Sequence, residues 1–272
     1  VIGSNRTTNE ENYLLQKFAR TVLLTNNIDH HRTADYAAFA QALSGHADRT
    51  AALRDTGTAP AILLIGNDPS EQHPLLAWNL RTNVRLNRAR LYVANHAEIK
   101  LERQATASLR VSQDSYDALL NYLGGNNSAL DIEGASAFRD AICAEPSLLI
   151  VFGSELTGGS IEALVKFGLR LPAAKFACLG DYVNSRGAAD MGLLPDLLPG
   201  YQSVSSPGAF AEYEGLPATP GLDLVEMFDA AANGGVAALY IVGSNPVARY
   251  GVDPSTLENT FLIVQDMFLT ET

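Results

Sequence analysis

The stretch Ala61–Pro74, AILLIGNDPSEQHP, limits the folds open to this chain more than any other. Five apolar residues stop at Gly66, turn through Asn67, Asp68 and Pro69, and pass into a run suited to a helix. An apolar run too short for a helix and rich in Ile and Leu reads as a parallel strand buried on both faces. The pattern recurs at Val1–Asn5 (VIGSN), Leu149–Ser154 (LIVFGS) and Tyr240–Pro246 (YIVGSNP). Each time a strand ends at Gly and gives way to small polar residues. In a wound α/β sheet that junction is the carboxyl end of the strand, where ligands bind. Gly permits the sharp turn, and the following helix offers free N–H groups to an anion.

Strand and helix alternate along most of the chain, which implies an α/β fold with parallel sheets. Thr8 and Glu11 have capping-box spacing, and Leu14, Phe18 and Val22 repeat at helical intervals, so a helix is expected over 10–24. Further strands are expected at 61–65, 90–94, 107–111, 148–152, 175–179, 237–242 and 261–264. Helices are expected from Pro74, from Asp114 or Ser115, over 136–144, after Gly153, and over 223–233. The stretch Gly180–Gly221 is rich in Gly and Pro and lacks periodicity, a length of loop that is often functional.

At 272 residues the chain has room for one or two domains with ample core. The net charge of −11 repels nucleic acid, so no nucleic-acid partner is expected. The two cysteines, Cys143 and Cys178, are too few for a Cys₄ metal or iron–sulfur site, and they point to a reducing compartment. The charge-free run 230–248 is broken by Asn, Gly and Pro, so no direct membrane insertion is expected. Both termini fall beside strands, and the chain reads as a soluble, central fragment of a longer protein.

Several constellations invite chemical readings. Gly153–Ser160 (GSELTGGS) has the glycine spacing of a phosphate loop after a strand, but Gly159 stands where that motif needs Lys. It reads as a glycine-rich turn, with a nucleotide-binding module as the competing reading. His30 and His31 are adjacent and point in different directions on any regular element, so they read as loop histidines. Arg81, Arg85, Arg88 and Arg90 read as a solvated face. Asp35 and Asp114 each suit a helix cap.

Four blocks, in order, strongly resemble the molybdopterin oxidoreductase family: Gly3–Arg20 (GSNRTTNEENYLLQKFAR) with Thr25–Asp29 (TNNID), Leu64–Pro74 (LIGNDPSEQHP), Gly187–Gly192 (GAADMG) with Leu194 and Pro195, and Tyr240–Pro246 leading to Val264–Thr270 (VQDMFLT). The family includes formate dehydrogenases and the large iron–sulfur subunit of NADH-quinone oxidoreductase, respiratory complex I. The resemblance implies two nested, doubly wound α/β domains, as in the formate dehydrogenase/DMSO reductase family. One would comprise 1–29 plus 196–272, and a Rossmann-like domain of 30–195 would be inserted into it, with the cofactor of active relatives in the cleft between.

The departures shape the functional expectation. Molybdenum-bearing relatives carry a Cys or selenocysteine ligand followed by His-Gly, where this chain has Asp35, Tyr36 and Ala37. Relatives place Asp-Pro-Arg after the second strand of the inserted domain, where this chain has Asn95, His96 and Ala97. Asp114 matches an acid that meets guanine in relatives, and Asn67 and Asn245 follow strand-ending glycines. Such erosion resembles the large subunit of complex I. The expectation is a cluster-free scaffold with no catalytic or metal-ligating residue, its cleft candidates being Asp35, Asn67, Asn95, Asp114 and Asn245. Molybdopterin would be lost, and iron–sulfur clusters would lie in an N-terminal part outside this chain. The partners would be other subunits of NADH-quinone oxidoreductase, at the cytoplasmic side of a bacterial inner membrane. The alternative is a molybdopterin-guanine-dinucleotide enzyme such as formate dehydrogenase, with Asp35 as ligand.

Overall fold

The computed structural model describes residues 1–125, 130–211, 213 and 215–272. In chain order its strands are β1 (Ala61–Ile65), β2 (Arg90–Asn95), β3 (Ala107–Arg110), β4 (Leu148–Phe152), β5 (Ala174–Cys178), β6 (Leu197–Leu198), β7 (Gln202–Ser203), β8 (Ala238–Val242) and β9 (Phe261–Gln265). Its α-helices are α1 (Asn9–Thr21), α2 (Tyr36–Ala42), α3 (Leu53–Thr56), α4 (Pro69–Gln72), α5 (Pro74–Asn87), α6 (Tyr116–Leu123), α7 (Ala135–Cys143), α8 (Gly158–Leu169), α9 (Ser185–Asp190), α10 (Leu224–Ala232) and α11 (Pro246–Tyr250). The chain divides into two compact units, a continuous one of Thr33–Asp181 and a discontinuous one of Val1–Arg32 with Tyr182–Thr272.

The continuous unit is built on one parallel sheet of order β3-β2-β1-β4-β5. The strand order reverses between β1 and β4, and every residue of both strands is buried. That explains their uninterrupted apolar sequences, since helices cover both faces. Ile62, Leu64, Leu80, Leu91, Val93 and Val151 form the centre of one face, and each fully buried aliphatic side chain contributes roughly 1.5–3 kcal/mol. Proline starts both α4 and α5, and Asp68 accepts from the Ser70 N–H at 2.9 Å to cap the first of them.

The discontinuous unit uses shorter pairings. Ile2 forms parallel bridges to Asp29 on one side and Ile241 on the other, and β8 continues to β9 in parallel. Helix α1 begins with the expected capping box: Thr8 Oγ1 accepts from the Glu11 N–H at 3.2 Å, and Glu11 Oε2 accepts from the Thr8 N–H at 2.8 Å. Its orientation differs from the apolar pattern. Leu14 and Val22 are each 63% exposed, and the buried face carries Asn12, Gln16 and Arg20 alongside Leu15 and Ala19. Arg20 is the reason. Its guanidinium donates to Asn26 Oδ1, Gln16 Oε1 and the carbonyls of Gly192, Leu194 and Leu197, at 2.7–3.1 Å.

Three of those bonds anchor residues 192–197, within the stretch 180–221. The long glycine- and proline-rich stretch holds helix α9 and the antiparallel pair β6–β7, pinned by the buried guanidinium. Glu212 and Glu214 within it lie outside the described residues. Residues 182–195, placed with the inserted domain on sequence grounds, belong to the discontinuous unit, as do 30–32.

Candidate functional site

In the continuous unit the carboxyl ends of β1 and β4 flank the point where strand order reverses. This is the position at which wound sheets open a crevice. Gly66 leaves β1 with φ +80°, a left-handed conformation that favours glycine. Asn67 follows and is fully buried; its Nδ2 donates to the Ile65 carbonyl at 3.2 Å, and its Oδ1 has no partner. Glu155, two residues beyond Gly153, likewise buries an unpartnered Oε2. Tyr116 stands close to Gly66, as does Glu155, and its hydroxyl accepts from the His96 N–H at 3.2 Å. Burial, with a contribution from the Glu155 charge, pushes the Tyr116 phenol up to about 12.

The sequence-derived candidates separate clearly. Asp35 caps α2: its Oδ1 accepts from the Ala38 N–H and its Oδ2 from the Gly158 N–H, both at 2.9 Å. The carboxylate therefore sits at the N-terminus of α8, where a phosphate would otherwise be received. This, as well as the missing Lys, disfavours Gly153–Ser160 as a phosphate loop. Asn95 spends its amide internally, donating to the Asn67 carbonyl at 2.9 Å and accepting from the His96 N–H at 2.7 Å. Asp114 is exposed in the turn before α6. Of the residues at this edge, Asn67 and Glu155 bring unpartnered buried oxygen. Nothing in the apolar pattern or the glycine spacing singles out Glu155; the available signal is an acid two residues after a strand-ending Gly.

The corresponding edge of the discontinuous unit gathers Asn5, Arg6, His31, Tyr182, Ser244, Asn245 and Tyr250. Exposed Arg6 lies over the Tyr182 ring at 5.0 Å, and the His31 and Tyr250 rings stack with centroids 4.3 Å apart. Asn5 Nδ2 donates to the His31 carbonyl at 2.9 Å. Asn245 caps α11 through the Ala248 N–H and accepts from Thr272 Oγ1 at 2.8 Å. His30 is not paired with His31 in a metal set. It is buried, with Nδ1 2.8 Å from the Leu193 carbonyl, and burial lowers its pKa to about 4. Beside it, burial raises Asp29 to about 6 against the pull of Arg32, which binds its Oδ2 at 2.8 Å. Among the described residues no group of three or more His, Cys, Asp or Glu could hold a metal ion. No described helix is long and apolar enough to cross a membrane.

The F420-dependent formate dehydrogenase subunit alpha of Methanocaldococcus jannaschii is 29% identical over 99% of this chain and 48% of its own length. Formate dehydrogenase H of Escherichia coli is 29% identical over 99% of this chain and 46% of its own length. The NADPH-Fe(3+) oxidoreductase subunit alpha of Geobacter sulfurreducens is 29% identical over 98% of this chain and 38% of its own length. The chain thus spans less than half the length of these relatives. A solved structure, the formyltransferase/hydrolase complex (FhcABCD) from Methylorubrum extorquens, shares the fold with a TM-score of 0.56 at 17% identity, covering 97% of this chain and 74% of that one. The family model described as molybdopterin oxidoreductase matches residues 1–272, and the chain therefore belongs to the molybdopterin oxidoreductase family.

Proposed function

We propose that the chain forms part of the large subunit of an oxidoreductase of formate-dehydrogenase type. The observation that carries this reading is similarity over 98–99% of the chain to formate dehydrogenases and an NADPH-Fe(3+) oxidoreductase subunit. The edge of the discontinuous unit suits an anionic, planar group such as a pterin nucleotide. Arg6 offers an exposed guanidinium, and the stacked His31 and Tyr250 rings offer an aromatic surface. When bound, such a cofactor would supply two-electron redox chemistry. The role of these residues is then to bind and orient.

The position expected for a metal ligand does not fit. Both oxygens of Asp35 already accept backbone N–H bonds, and ligation would release the start of α2 and of α8. This favours a second reading, in which the chain is a scaffold within the large iron–sulfur subunit of NADH-quinone oxidoreductase and passes no electrons itself. Metal analysis of the intact parent protein separates the two. About one molybdenum per chain, with formate-dependent reduction of an artificial acceptor, is the expected result of the first reading. A well-folded parent that carries iron but no molybdenum overturns it in favour of the second.

A further inference from the structure

Helix α5 is apolar on two opposite faces. Leu76, Ala77, Leu80 and Val84 turn inward onto the sheet cluster of the continuous unit. On the other side Leu75, Trp78 and Leu86 stand 81%, 62% and 70% exposed. With Thr82 they follow one another at steps of three, four and four residues, so they share one stripe along the helix. Arg85, seven residues after Trp78, flanks that stripe. A surface helix ordinarily carries a single apolar stripe and turns its charged residues of both signs to water. Helix α5 instead contains no acid, and its Arg81 and Arg85 are followed by Arg88 and Arg90 just beyond its end. Two of these four are engaged: Arg81 donates to Ser70 Oγ at 3.1 Å, and Arg90 pairs with Glu145. Among the described residues Arg85 and Arg88 make no ion pair, in a chain whose net charge is −11. The helix dipole favours cations at that end, but it gives their guanidinium forks no partner and does not account for Leu75 and Trp78 at the other end.

We propose that the Leu75–Trp78–Leu86 face of α5 docks an acidic, amphipathic helix of another polypeptide, with Arg85 and Arg88 receiving its carboxylates. Exposed Trp and Arg side by side are the residues that anchor protein interfaces. The three-and-four spacing is the one by which a helix receives the ridges of a second helix. Unpaired guanidinium groups select carboxylates, which they bind in a fork. A membrane surface suits the face less well: a net charge of −11 repels an anionic bilayer, and a neutral one leaves the arginines unpaired. A second copy also suits it less well, because in a symmetric α5–α5 pair neither helix has an acid to offer the other. The surface lies within the continuous unit and does not depend on the redox reading above.

Trp78 is the only tryptophan of the chain, so its emission reports on this face alone. The probe is a tryptophan-free helical peptide of about four turns, with Leu repeating at steps of three and four and Glu at the positions between; a twin peptide carries Lys in place of Glu. The Glu peptide is expected to move Trp78 emission to shorter wavelength, saturably and below about 1 mM, and the Lys peptide to leave it unchanged. By fluorescence anisotropy of labelled Glu peptide, Trp78→Ala and the double variant Arg85→Glu/Arg88→Glu are each expected to weaken binding about tenfold or more. Val225→Ala, at an exposed apolar position on α10, is expected to preserve it. Failure of the Glu peptide to bind at about 1 mM overturns the proposal, as does equal binding of the two peptides or binding that survives in both variants. A Trp78 shift produced by phosphatidylserine vesicles and not by the Glu peptide overturns it in favour of a membrane. A dimer in sedimentation that Trp78→Ala dissolves overturns it in favour of a second copy. Both peptides act on the unaltered chain, so their comparison decides even where a variant fails to fold.

Discussion

The continuous and discontinuous units solve the same problem with different materials. The sheet of the continuous unit is buried through its central strands around a large apolar cluster, with Asn67, Asn83, Asn95 and Glu145 buried beside it. The discontinuous unit has small apolar clusters and buries Asn12, Gln16, Arg20, Asn26, Asp29 and His30 with them. One unit rests on area removed from water, a driving force that is non-directional and insensitive to pH. The other rests more on a hydrogen-bonded polar network centred on Arg20, so the loss of one partner strands several groups. Its apolar residues are partly left outside: Leu14, Phe18 and Leu23 of the α1 segment, with Ile263 and Tyr240, line a surface groove of about 560 Å³.

The largest expected effect is in the apolar unit. Phe152→Ala empties a fully buried site at the end of β4, where the Phe39 ring packs edge-on at 5.4 Å. It should cost about 3–5 kcal/mol, read by denaturant unfolding, with loss of hydrogen-exchange protection confined to 33–181. Next comes Arg20→Met, which keeps the bulk but leaves three carbonyls and two side-chain amides without this donor. The expected cost is about 2–4 kcal/mol, with protection lost in 182–198. If Arg20→Met were nearly neutral, the contrast between the units would fail, because the polar clamp would not be what holds the long segment.

Acid–base behaviour sharpens the contrast further. Burial raises the Asp29 pKa from 3.8 to about 6, so the folded state binds more protons than the unfolded state in that interval. Its contribution to stability is present at low pH and is lost as pH rises from about 4 to 6. Burial lowers His30 from 6.5 to about 4, so the unfolded state binds more protons, and this contribution grows as pH rises through the same interval. The two oppose each other, each on the order of 2–3 kcal/mol. Relative to the parent, Asp29→Asn should therefore shift the slope of stability between pH 4 and 6 toward a gain, and His30→Gln should shift it toward a loss. Equilibrium unfolding at several pH values measures both slopes. The smallest effect is expected at Ile263→Thr, on the half-exposed strand β9, where the change should stay within about 0.5 kcal/mol.

Much of the fold could be read locally. The strands at 61–65, 148–152 and 238–242 announce themselves by short apolar runs that end at Gly, and the Thr8–Glu11 box marks the start of α1. The site was less legible. Asn67 could be named from its place after a strand-ending glycine, but its unpartnered oxygen could not. Asp35 stands in the sequence as a ligand candidate and a helix cap, and only the fold brings Gly158, more than a hundred residues later, to donate its N–H to the Asp35 Oδ2. The buried face of α1 misled because periodicity ranks residues by polarity, whereas five acceptors arranged around Arg20 made the polar face the interior one.

The sequence by itself determined the α/β alternation, the strand ends that face the ligand edge, and the family. These follow from short-range rules: hydrophobic period, glycine turns and helix caps act within a few residues. Only the tertiary structure decided which helix face turned inward, that Asp35 accepts N–H bonds at the starts of both α2 and α8, and that Asn67 and Glu155 each bury an oxygen without a partner. Those outcomes depend on which polar atoms find partners across long separations in the chain, and hydrogen-bond satisfaction is a property of the packed whole.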